Sequence, residues 1–350
     1  MKRLSYVSYN VSWVILIIFI MGSCSKSSIP ATQEGNWVTM SSFNGPNRSE
    51  AVSFVIGNYA YVATGIDQTN KRYNDLWQYD PVQNNWIQLA NMPDTSRTGA
   101  STLRSSGVAF SVGSKGFVGT GYNGFTPMGD FWEYDLDSNK WHQIADFAGS
   151  PRYDAVAFGI GDFGYVSTGY DGANAQKDFW QYDPSADTWT QKVSMGGDKR
   201  SAAVAFVYQN KGYIVTGINS GTLTNDFWEF DPSQPEGSSW KQLRHITNYS
   251  TDTYDDAYTY IVRSNAAAFV IGDSAFISTG NNITLYQYTY GYSFANDLWG
   301  QRTSFEGAPR EGAVGFSVNG GGYIGLGRSS SAVFDDLRQF FPNEIYNPND

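Results

Sequence analysis

Thiol and imidazole are nearly absent from this sequence: one cysteine, Cys24, and two histidines, His142 and His245, in 350 residues. A disulfide and a Cys-x-x-Cys pair are excluded, and no His-Glu-x-x-His motif occurs. A Gly-x-Ser-x-Gly nucleophile elbow and a P-loop are also missing. Gly-x-Gly-x-x-Gly occurs at Gly159–Gly164 and at Gly119–Gly124. Phosphate binding needs a helix opening directly after those glycines. Here the first match falls in a hairpin turn and the second at a strand end. No catalytic residue, metal or cofactor is therefore expected. Basic residues are also short, 23 against 33 acidic, a formal charge of −10. Such a surface repels nucleic acid and anionic lipid headgroups, so neither is an expected partner.

Long apolar runs are missing too, with one short exception. Trp13 to Met21 is apolar, follows Lys2 and Arg3, and precedes Gly22-Ser23-Cys24. The run is too short to span a bilayer, so a cleaved signal over residues 1–23 is expected. Met21-Gly22-Ser23-Cys24 resembles the lipobox of bacterial lipoproteins, with Met21 where Leu is usual. The resemblance implies a lipid on Cys24, a polar tether over residues 24–34, and a cell-envelope address at the outer membrane, on its periplasmic face or at the cell surface. The lipid is the one expected membrane contact.

What the sequence has in quantity is aromatics, 16%, and 37 glycines, a mixture that suits short strands and tight turns. One pattern recurs six times. It opens with Arg48, Arg104, Arg152, Arg200, Arg263 and Arg310, each followed three residues later by Ala or Gly and six later by Phe. An aromatic comes thirteen after the Arg and a Gly seventeen after it, from Gly65 to Gly327. Physically this is a hairpin: Ala51–Ile56, a Gly57-Asn58 turn, then Tyr59–Thr64. A second hairpin follows. Its first strand carries Asp-Leu/Phe-Trp, at Asp75, Asp130, Asp178, Asp226 and Asp297, and its last strand carries a second Trp, at Trp86, Trp141, Trp189 and Trp240. Four strands per unit of this length make a propeller blade.

The Tyr-to-Trp spacing of seven in Tyr79/Trp86, Tyr134/Trp141 and Tyr182/Trp189 resembles the kelch repeat, over about Trp37 to Phe341. Thr-Gly stands where kelch units usually have Gly-Gly, as in exported Bacteroidetes kelch proteins. The resemblance implies an all-β, six-bladed propeller over residues 35–343, with a tail at 344–350. Galactose oxidase, a copper enzyme of the same group, binds its metal through two His and two Tyr, one cross-linked to Cys. This sequence lacks that set.

Trp37 stands eleven residues before Arg48, as Trp141 and Trp189 stand eleven before Arg152 and Arg200. It is therefore expected to lie on a fourth strand completing blade six and closing the ring. Blade five is expected to take Asp297-Leu298-Trp299 as its third strand and to lack a second Trp, with Phe305 in its place.

Two features bear on function. The six arginines either capture an acidic ligand at the channel mouth or clasp carbonyls and the blade Asp of their own repeats. Two segments break the symmetry, His245–Val262 and Asn281–Asn296. They concentrate Tyr249, Tyr254, Tyr258, Tyr260, Tyr286, Tyr288, Tyr290 and Tyr292 beside Arg263 and Arg310, a set suited to stacking and hydrogen-bonding sugars. The expectation is a monomeric, non-catalytic binding module for a glycan or protein. The alternative is an enzyme like the sialic-acid mutarotases, also exported kelch propellers, with an Arg and a carboxylate such as Glu311 in the channel.

Overall fold

The computed structural model describes residues 34–349; the signal segment and Cys24 lie outside that range. Six four-stranded antiparallel sheets follow one another along the chain. Blade one is Val52–Ile56, Tyr59–Ala63, Leu76–Asp80 and Asn85–Gln88. Blade two runs from Val108–Val112 to Lys140–Gln143, blade three from Tyr153–Ile160 to Thr188–Lys192, and blade four from Val204–Tyr208 to Trp240–Gln242. In blade six, Glu34–Thr39 pairs with Leu337–Ile345, and Trp37 faces Phe340 across that pair. The first described strand thus completes the last blade as its fourth, outer strand and covers the edge of Leu337–Ile345. That last strand continues past Asn343, where the tail was expected.

The blades pack face to face through the aromatic positions of the repeat. Phe54 and Tyr61 of blade one share a core with Trp132, Tyr134 and Trp141 of blade two. Backbone bonds then stitch neighbours together. The amide of each closing glycine donates to the carbonyl of the next blade's arginine, from Gly65 to Arg104 at 2.9 Å round to Gly327 to Arg48 at 2.9 Å. This contact needs glycine. Gly65 has φ +102°, and a Cβ there would meet the Ser49 carbonyl at 2.9 Å.

Blade five departs from the expected reading. Its strands are Ala267–Ile271, Ser274–Ser278, Thr289–Ser293 and Leu298–Arg302. Asp297-Leu298-Trp299 therefore opens the fourth strand, and Tyr292 faces Trp299 as Tyr79 faces Trp86. Asp297 is the left-handed turn residue that receives the Tyr292 hydroxyl at 2.9 Å, the role of Asn84 under Tyr79. Blade five has its second Trp after all. Phe305 instead packs on Trp37, ring centres 5.0 Å apart.

Candidate functional site

The arginines resolve first. All six are buried. Each gives an Nη1 bond to the carbonyl of the left-handed residue before its closing glycine: Thr64 at 2.7 Å, Thr120, Thr168, Thr216, Thr279 at 2.7 Å and Leu326. Five also bind the blade carboxylate, Arg48 to Asp75, Arg104 to Asp130, Arg152 to Asp178 and Arg310 to Asp336 at 2.5 Å each, and Arg200 to Asp226. These are charge-assisted clasps that hold the strained Thr-Gly turns, and they leave no guanidinium free for a ligand. Arg310, an expected ligand residue, is one of them.

Arg263 is the exception. The corrected register puts Tyr288 where the other blades have Asp. Arg263 bonds only carbonyls, those of Ile261, Thr279, Tyr288 and Tyr260. Burial lowers its pKa from the ordinary arginine value to about 10.

The expected tyrosine face divides along the same correction. Tyr290 and Tyr292 lie on the third strand, 0% and 2% exposed, and belong to the core. Tyr258 is buried, its hydroxyl accepting the Trp299 amide at 2.7 Å, and Tyr286 is buried over Arg263. Tyr288 is half-buried and stacks on Tyr260 at 4.2 Å. Tyr254 is half-buried under the Arg244 guanidinium. Only Tyr249 and Tyr260 are well exposed, and Tyr249 stacks on His245 at 4.3 Å. This segment is mostly a locally packed cap, because the strand Thr289–Ser293 turns Tyr290 and Tyr292, two residues apart, to the same core face.

A different site lies on the propeller axis, two residues after each arginine. Glu50, Ser106, Asp154, Ala202, Asn265 and Gly312 all have positive φ. Their amides and carbonyls close a hydrogen-bonded ring: Glu50 to Gly312, Ser106 to Glu50, Asp154 to Ser106, Ala202 to Asp154, Asn265 to Ala202 and Gly312 to Asn265, at 2.8–3.1 Å. The Ala or Gly that follows in each repeat is small because six of them converge on this axis, where a cavity of about 150 Å³ remains. The ring narrows the channel and makes a floor.

Above the floor the symmetry is lost. Each wall pairs the residue after the arginine with the residue after the closing glycine. In blade three these are Tyr153 and Tyr170, 5.6 Å apart, joined by Tyr122 of blade two at 5.1 Å from Tyr153. In blade six, opposite, they are Glu311 and Arg328. Arg328 bridges Glu50 at 2.8 Å and Glu311 at 3.3 Å. The Ser106 hydroxyl donates to Glu50 at 3.1 Å and faces Asp154. Burial first, then the neighbouring Glu50 charge, pushes the Asp154 carboxyl up to about 7. The adjoining cavity over blades three and four, about 470 Å³, has Asp154, Tyr153 and Tyr170 in its lining.

Glu311 was legible as a candidate; Glu50, Asp154, Arg328 and the three tyrosines were not singled out. Among the described residues, no three His, Cys, Asp or Glu side chains gather to hold a metal.

The Kelch motif family matches residues 47–93 and 165–196. Kelch-like protein 35 of Mus musculus is 28% identical over 139 residues, 37% of this chain and 22% of that protein. The chain thus spans about a fifth of the length of that curated relative. Among solved structures, the one titled "Structure of YjhT" superposes with a TM-score of 0.69 at 14% identity, covering 85% of this chain and 95% of that one.

Proposed function

We propose that this kelch-repeat six-bladed propeller is a non-catalytic binding module whose site is the axial vestibule, and that its ligand is a small sugar. The observation that carries the reading is the opposition of Tyr122, Tyr153 and Tyr170 to Glu50, Glu311 and Arg328 across a closed floor. A pyranose has apolar C–H faces and an equator of hydroxyls. Stacking on one wall and hydrogen bonding to ionised groups on the other satisfies both. The cavity beside Tyr153 and Tyr170, about 470 Å³, is the size of one or two rings. The sugar reading replaces the blade-five tyrosines as the binding face. The address goes with it: the Trp13–Met21 run and Cys24 support a lipid anchor in the cell envelope.

Saturation-transfer NMR with neutral methyl pyranosides tests this. Signal expected with the parent should be lost in Tyr153→Ala and Glu311→Gln at unchanged Tm. Equal signal in both variants would overturn the vestibule as the site.

One observation favours a second reading, sugar mutarotation. Asp154, protonated up to about pH 7, stands beside Glu50. An acid could protonate the ring oxygen while a base takes the anomeric hydroxyl proton; the bond from the anomeric carbon to the ring oxygen opens and recloses on the other face. A pure anomer added to the protein and followed by NMR separates the readings. Equilibration faster than in buffer, abolished by Asp154→Asn, would establish catalysis.

A further inference from the structure

We propose that the groove between the loops of blades one and two is a second binding site, for an acidic oligosaccharide. It is a cleft of about 780 Å³, bounded by 70–77 on one side and by Leu103 and Asn123–Phe125 on the other. Its charge is the opposite of the molecule's. On a chain of formal charge −10, the groove presents two cations and one carboxylate. The carboxylate, Asp75, is already bound by both terminal nitrogens of Arg48 and by the Trp77 indole at 2.8 Å.

Among the described residues, neither cation has a carboxylate partner. Lys71 is exposed, and its one close contact is the Tyr73 ring at 5.0 Å. Arg72 makes no ion pair among the described residues; its guanidinium lies over Tyr122 at 5.3 Å, and its Nε is buried without an acceptor there. An arginine in the wall of an open cleft with no carboxylate beside it favours an anion there.

The rest of the lining distinguishes among anions. Amides line the groove at Asn70, Gln88, Asn91 and Asn123. Phe125 is 89% exposed at the rim, and Trp77 is half-buried in the wall. Flat rings for stacking, amides for hydroxyls and cations for carboxylates together match a chain of uronic-acid units. An acidic peptide would use the cations and leave the amides and rings without partners. The site is independent of the vestibule, although Tyr122 touches both.

Titration calorimetry on the full chain with tetragalacturonate tests it, with maltotetraose as the uncharged control and polyglutamate as the peptide control. Tetragalacturonate should bind at least about tenfold more tightly than either, and more weakly as salt rises. Lys71→Gln/Arg72→Gln should cost about tenfold in affinity at unchanged Tm. If the double variant melts lower, Lys71→Gln alone is titrated, and its weakening carries the same meaning. Equal binding of maltotetraose, undiminished binding by the variants, or polyglutamate binding as tight as tetragalacturonate would each overturn the proposal. The vestibule is probed by neutral monosaccharides, so loss of one signal without the other tells the two sites apart.

Discussion

At the floor of the vestibule, one carboxyl bears the cost of the whole arrangement. Asp154 is held near Glu50 on the axis, and its pKa rises from 3.8 to about 7. The groups facing it are Glu50, Glu311, Arg328, Tyr153 and the Ser106 hydroxyl. In the unfolded chain it loses its proton near pH 4; in the fold it keeps it to about pH 7. Between those values the folded state binds more protons, so stability falls as pH rises through that window and the full cost is present above it. A rise of that size corresponds to about 4 kcal/mol at most, and because Asp154 is only half-buried, solvent screening reduces that to about 1–2 kcal/mol. Asp154→Asn should therefore raise Tm at pH 8 and leave it nearly unchanged at pH 4. A Tm difference that does not vary with pH would show that the proton is not held. Such residues are hard to see in sequence because they sit at the one position of the repeat where Glu, Ser, Asp, Ala, Asn and Gly alternate. The floor is a backbone ring that any residue tolerating positive φ can make, so its side chains are free to differ, and that variation was itself the available signal.

The blade is where reading the sequence succeeded and where it slipped. The Arg and Gly positions located all six blades, because each performs a task that its residue type suits: a buried fork for two acceptors and a left-handed turn. Blade five kept both and lost two other marks, the Asp and the Trp of the third strand. Tyr288 and Tyr290 stand where blades one to four have Asp and Trp, and the turn residue Asp297 happens to precede Leu298-Trp299. A false third-strand motif thus appeared one strand late, and an ordinary loop plus a strand read as an insertion. The seven-residue interval from Tyr292 to Trp299 was the correct guide, matching Tyr79/Trp86. The correction has consequences for stability. Tyr290 is fully buried in the core of blades four and five, so Tyr290→Ala should cost about 3–5 kcal/mol by denaturant unfolding. Tyr249, 71% exposed, should cost under about 0.5 kcal/mol when truncated. Similar losses at both would mean that the third strand has been misplaced again.

For the whole molecule, the decisive contact joins residues some three hundred positions apart. A propeller has no covalent closure, and each blade is buried only by its two neighbours, so an opened ring exposes two sheet faces and an unpaired edge. Here the closing strand is Glu34–Thr39, and its anchor is Trp37, 0% exposed between Phe340 at 4.8 Å, Phe305 at 5.0 Å and Phe269 at 5.9 Å. Its indole N–H reaches the Thr303 carbonyl at 3.3 Å. Those partners come from two blades, so the ring packs between blades as well as within one. This closure was legible because a lone Trp stood eleven residues before the first Arg, the spacing of a fourth strand whose own blade was missing. Truncation to Ala leaves a cavity lined by three aromatic rings, worth about 3–5 kcal/mol. Removing the strand should cost more, since Leu337–Ile345 then becomes a bare edge. The expected order of Tm is parent, then Trp37→Ala, then the chain lacking residues 34–39, with the last gaining a concentration-dependent tendency to associate through that edge. A deletion that melts with the parent and stays monodisperse in light scattering would mean that the direct contacts between blades six and one, such as Gly327 to Arg48 and Glu50 to Gly312, hold the ring shut without the strand.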